Sequence, residues 1–166
     1  MHFFLKPESG DRILFAVLDS CGNPAYRVAG EPTSLGCRYT LRGEDGSSAA
    51  RMSGVTFPSD VHYSISAGSR HIRVTVRPEA SHRAVRFKGV RWRFRGNILV
   101  RSFDIVEDRP PEQPRVIMTH GRCWNRHGDC YAIEIPCGAD VPLALCTAVA
   151  VDCAVVGGCV SPVPVN

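Results

Sequence analysis

Ten of the 20 basic residues and only one of the 16 acidic ones fall between Arg70 and Arg101, so this stretch carries +9 and the rest −5 of a formal net charge of +4. Cations at such density attract phosphate, and arginine adds paired hydrogen bonds to phosphate oxygens. Spacing decides which of them act together. Ile72, Val74 and Val76 alternate as a half-buried strand requires, which puts Arg73 and Arg77 on its other face. Val85 and Phe87 turned inward leave Arg86 and Lys88 outside, and Val90, Trp92 and Phe94 leave Arg91, Arg93 and Arg95 outside. The parity changes across Lys88-Gly89-Val90, which predicts a turn or bulge permitted by Gly89. Neighbouring strands would then present Arg73, Arg77, Arg86, Lys88, Arg91, Arg93 and Arg95 on one wall. Beside an anionic membrane each such cation contributes about 1 kcal/mol. The competing reading is a solvated barrel exterior whose arginines pair with the acidic remainder.

A second cluster reads His120-Gly-Arg-Cys123-Trp-Asn-Arg-His127-Gly-Asp129-Cys130. Four imidazole or thiolate ligands satisfy tetrahedral zinc, but His120, Cys123, His127 and Cys130 have only three residues between the two pairs, shorter than zinc sites use. The segment reads as a polar loop between strands, and no metal or other cofactor is expected. Cys123, His127 and Asp129 are also the materials of nucleophilic catalysis, yet three residues in a loop fit a turn equally well. The chain has no G-x-S-x-G, no phosphate-binding glycine loop and no His-Glu-x-x-His. A non-enzymatic protein is expected. With no export signal at the start, MHFFLKPESGDR, the compartment is expected to be the cytoplasm and the eight cysteines are expected as thiols.

Short period-two runs must position these residues: 13–17, 26–28, 39–41, 61–66, 72–76, 91–95, 98–106 and 131–135, separated by Gly, Pro, Asn and Asp turns. About ten or more antiparallel strands account for the spacing. From Asp140 the chain changes to DVPLALCTAVAVDCAVV, with Asp140 as helix cap, Pro142 tolerable in the first turn and Gly157-Gly158 as the stop. A helix apolar nearly all round cannot lie on a wet surface, and a sheet closed around it is the simplest container. The lone carboxylate in it, Asp152, must be neutral, bonded to barrel backbone or paired with an inward arginine. With 44% hydrophobic residues in 166, the chain can bury one core and is not disordered. Its apolar stretch falls short of the about 20 residues a bilayer span requires.

The two halves repeat weakly. Tyr26-Arg27-Val28-Ala29-Gly30 aligns with Trp92-Arg93-Phe94-Arg95-Gly96, and His62 to Gly68 aligns with Cys130 to Gly138. These duplicated aromatic-x-apolar-x-Gly elements, with the ending Asp129-Cys130-Tyr131-Ala132-Ile133-Glu134-Ile135 followed by Leu143-Ala144-Leu145 to Val151-Asp152, resemble the tubby C-terminal-like superfamily. Within it the chain is similar to the LURP-one-related and YxjI-like proteins. The resemblance covers almost the whole chain and implies a single domain over 1–166, with halves at about 12–77 and 83–157. It implies a mainly β fold, a closed antiparallel barrel of about twelve strands enclosing a central hydrophobic C-terminal helix.

Taken together, these features lead us to expect a non-enzymatic binding module, cytoplasmic or peripheral at the inner membrane surface, that docks its arginine-rich face on anionic phospholipid headgroups. The headgroup assignment leans on the resemblance, whose relatives include phosphoinositide-binding tubby proteins and phospholipid scramblases. A protein-interaction scaffold without a lipid ligand is the first alternative. Nucleic-acid binding is disfavoured because Phe87, Trp92 and Phe94 fall on the inward face, where they cannot stack on bases.

Overall fold

A computed structural model describes residues 1–8, 13–78, 84–125 and 128–156. In chain order the elements are β1 (His2–Pro7), β2 (Ile13–Asp19), β3 (Pro24–Thr33), β4 (Gly36–Gly43), β5 (Ser48–Thr56), β6 (Val61–Ala67), β7 (Arg70–Val76), β8 (Val85–Lys88), β9 (Trp92–Asn97), β10 (Ser102–Glu107), β11 (Arg115–Asn125), β12 (Gly128–Glu134) and α1 (Val141–Val156). All twelve strands form one antiparallel sheet in the order β8-β7-β6-β5-β4-β3-β2-β1-β12-β11-β10-β9. The terminal strands β8 and β9 come together without a shared ladder, so the barrel is nearly closed.

Alternation along the strands explains the core. Tyr39 and Leu41 of β4, Ala50 and Met52 of β5, Val61, Tyr63 and Ile65 of β6, and Ile72, Val74 and Val76 of β7 are all buried, while the residues between them face outward. Against this inner face packs α1, in which every residue from Leu143 to Ala154 is buried. Asp140 caps it as expected: its Oδ1 accepts from the Leu143 amide at 3.1 Å and its carbonyl from the Ala144 amide at 3.0 Å. The buried hydroxyl of Thr147 donates to the Leu143 carbonyl at 2.9 Å. The helix stop expected at Gly157-Gly158 lies outside the described residues.

Several local expectations are corrected. Residues 98–101 form a turn, and β10 starts at Ser102, because the Asn97 side chain captures the amides of Leu99 and Val100 at 2.9 and 3.4 Å. Strands β1, β5 and β11 escaped the alternation test. In β1 Phe3 and Phe4 are adjacent, in β5 the buried positions are only Ala50, Met52 and Gly54, and in β11 a histidine takes an inward place. The stretch from His120 to Asn125, expected to be loop, belongs to β11, and Gly128 to Cys130 belong to β12. Gly89 sits at φ 92°, as the parity change between Lys88 and Val90 requires.

Candidate functional site

The expected cations do face outward, but they do not all carry free charge. Arg73 of β7 lies opposite Lys88 of β8, and Arg86 opposite Thr75. Across the seam follow Arg91 and, in β9, Arg93 and Arg95. Arg93 is held by Asp108, with its Nη2 at 2.8 Å and Nε at 3.2 Å from the two carboxylate oxygens. The hydrogen bonds from Arg93, with its charge, hold the Asp108 carboxyl below the usual carboxylate range. Arg77 donates to Asp60 at 3.3 Å. The other five, Arg73, Arg86, Lys88, Arg91 and Arg95, are exposed and form no ion pair among the described residues.

Next to this wall lies a groove. In register across the outer face, Arg38 opposes Ser53, Ser53 opposes Ser64, and Ser64 opposes Arg73. One row along, Thr40 opposes Arg51 and Arg51 opposes Ser66. Short hydroxyl side chains between long arginines leave a depression of about 420 Å³, lined by Arg38, Arg42, Arg51, Ser53, Ser64 and Ser66, with Glu31 as its acidic member. Arg42 also donates to the Gly46 carbonyl at 3.2 Å, but Arg38 and Arg51 are exposed and unpaired within the described residues. Through Arg73 the groove is continuous with the expected wall.

The interior holds a polar cluster of its own. His120 Nε2 lies 3.0 Å from Asp152 Oδ2 and His120 Nδ1 lies 2.9 Å from the Arg101 carbonyl oxygen. A carbonyl only accepts, so Nδ1 carries a hydrogen, and a further proton must lie between Nε2 and Oδ2 to make that second bond. Asp152 Oδ1 accepts no hydrogen bond from the described residues, and Arg101 Nε stands 4.0 Å from it. The Arg101 guanidinium donates to the Tyr131 hydroxyl and sits 5.0 Å over that ring. Phe103 and Tyr131 stack on the two faces of His120, at 4.5 and 5.1 Å. Asp152 is thus paired with an inward arginine, one of the three solutions open to it, and also with a histidine.

The four-ligand cluster is not assembled. His120 enters the barrel with Ile133 opposite it, whereas Cys123 is an odd number of residues away on the other face, opposite Cys130. His127 lies outside the described residues, and no group of three or more metal-ligating side chains occurs among those described. The placement of the Asp129 side chain likewise lies outside them.

A sequence model of the LURP-one-related family matches residues 5–152. The chain belongs to that family. An X-ray structure of a protein from Arabidopsis thaliana is similar to it in fold, with a TM-score of 0.54 at 14% identity, covering 93% of this chain and 91% of that one. No curated protein matches this LURP-one-related chain.

The groove arginines are not among the cations expected from the sequence. Summing charge along the sequence sets Arg38, Arg42 and Arg51 against Glu44 and Asp45, whereas those acids sit in the β4–β5 turn. There Asp45 is occupied by the Ser47 hydroxyl and amide at 2.7 and 2.9 Å. The signal that could have found the groove was the outward alternation of Arg38, Thr40 and Arg42.

Proposed function

We propose that this LURP-one-related protein is a non-enzymatic binding module that docks on anionic phospholipid headgroups through its outer wall. The observation that carries the reading is the set of five outward cations, Arg73, Arg86, Lys88, Arg91 and Arg95, that form no ion pair among the described residues, with Asp104 opposite Arg95 as the acid in register with them. Together they supply on the order of 5 kcal/mol beside an anionic bilayer, at about 1 kcal/mol each. The adjoining groove offers arginine forks and hydroxyl donors for a phosphate group. Exposed apolar tips add to this. In an up-and-down barrel the β3–β4, β5–β6 and β9–β10 turns share one end, and they carry Leu35, Phe57, Leu99 and Val100, all exposed.

Nucleic acid is the weaker reading, because the aromatics of this wall pack inside it. Phe87 meets Trp92 at 5.8 Å and Phe94 meets Phe103 at 5.1 Å. No described helix is long and apolar enough to cross a membrane, so attachment through this wall would be peripheral.

Vesicle co-sedimentation at low salt tests the proposal. Binding to anionic vesicles that exceeds binding to neutral ones, and that falls steeply with salt, is the expected result. Equal binding to both rejects it, and leaves a protein-interaction scaffold as the reading to pursue by affinity capture.

A further inference from the structure

Seven of the described cysteines are thiols spread over the fold, and two of them meet. Cys123 of β11 and Cys130 of β12 are direct cross-strand partners, and their Sγ atoms are 2.9 Å apart. Opposed residues of an antiparallel pair have Cα atoms about 4.5–5.5 Å apart. That falls inside the about 4.4–6.8 Å range of disulfides, so the register places the two residues within bridging reach. By strand parity both residues lie on the face opposite His120, away from its contact with Asp152.

Exposure separates the roles of the two sulfurs. Cys123 is half-buried and can meet a small oxidant, while Cys130 is 1% exposed and held against it. Burial and the nearby Asp140 push Cys146 up to about 12, which keeps it protonated and unreactive inside the helix packing. Cys21 and Cys137 are exposed and lie in other parts of the chain.

We infer that Cys123 and Cys130 form a modification site, a dithiol that hydroperoxides convert to an intramolecular disulfide. In the first step the Cys123 thiolate attacks hydrogen peroxide, the S–O bond forms as the O–O bond breaks, and one water leaves after proton transfer. In the second, the Cys130 sulfur attacks the Cys123 sulfenic acid, the S–S bond forms, and the hydroxyl departs as a second water. Two electrons and two protons leave the thiols, and one peroxide becomes two waters. The product staples the tip of the β11–β12 hairpin, one residue from the Tyr131 that receives Arg101.

The test uses the full chain, folded and fully reduced, treated with stoichiometric hydrogen peroxide, alkylated and mapped by mass spectrometry without reduction. The expected result is one cross-linked peptide pair joining Cys123 to Cys130, with both lost together to alkylation and both recovered by dithiothreitol. Cys123→Ser should abolish the cross-link. Cys130→Ser should leave Cys123 as a sulfenic acid that a dimedone probe traps, a readout that also shows the variant to be folded enough to react. Finding Cys123 and Cys130 both still alkylated after peroxide, or Cys123 joined to any other cysteine, overturns the inference. Vesicle binding plays no part in this outcome.

Discussion

His120 and Asp152, 32 residues apart in sequence, meet inside the barrel with Nε2 at 3.0 Å from Oδ2, and neither side chain is more than 1% exposed. The contact ties the middle of the last long hairpin to the C-terminal helix at a depth where water cannot replace either partner. It turns the one carboxylate of an otherwise apolar helix from a liability into an anchor.

Because each partner leaves the other stranded when removed, His120→Ala and Asp152→Ala should each lower the unfolding free energy by about 3–5 kcal/mol. The double change His120→Leu with Asp152→Leu should cost less than the sum of the two alanine variants, since neither member of the buried pair is then left without the other, although the Arg101 carbonyl loses its donor. Urea unfolding of the four proteins checks this. Additive losses would show that the pair is not coupled.

The two glycines of the duplicated aromatic-x-apolar-x-Gly element should differ sharply. Gly96 sits at φ 130°, and a Cβ there would stand 2.5 Å from the Ser102 carbonyl oxygen and 2.6 Å from Phe103 Cα. Gly96→Ala should therefore cost about 1–3 kcal/mol. At Gly30 the nearest atom to a new Cβ is the end of the Leu14 side chain at 2.6 Å, which can turn aside, so Gly30→Ala should cost less than about 1 kcal/mol. Equal melting temperatures for the two variants would contradict the assignment.

Cations on the proposed docking wall should rank by whether they already form an ion pair. Charge reversal at Arg91 with Arg95, or at Arg73 with Lys88, should lower the partition onto anionic vesicles by several hundredfold, at about 1 kcal/mol per cation and twice that per reversal. Reversal at Arg93, whose guanidinium is occupied by Asp108, should reduce it less than either. Circular dichroism of each variant should stay unchanged, because all these side chains are exposed.

Asp108 should titrate below the ordinary carboxylate value of 3.8, as followed by its side-chain NMR shift, and Arg93→Gln should return it toward that value. A lowered folded-state value means that the group adds stability above the unfolded carboxylate value. That stability is lost as pH falls through the lowered one. The pair is exposed, so added salt should shrink the effect.

Removing the helix cap should be felt mildly. Asp140→Ala takes away the acceptor for the Leu143 amide and should cost about 1 kcal/mol in urea unfolding, whereas Asp140→Asn should retain most of the cap. Equal loss in both would point instead to the Arg70 contact at 3.8 Å.

Local alternation, cap chemistry and composition were legible in the chain itself. Period two exposed most strands and sorted the cations from Arg73 to Arg95 onto one face, and an apolar helix with one carboxylate required a container and a partner. Where the pattern was weak, as in the small inward residues of β5 or the histidine of β11, the strands escaped notice. Only the nearly closed sheet decided the rest, because partners across a ladder are set by register between strands, some of them far apart in sequence. Register laid Arg38, Ser53, Ser64 and Arg73 in one row, sent His120 inward to Asp152 while turning Cys123 outward to Cys130, and gave Arg93 to Asp108.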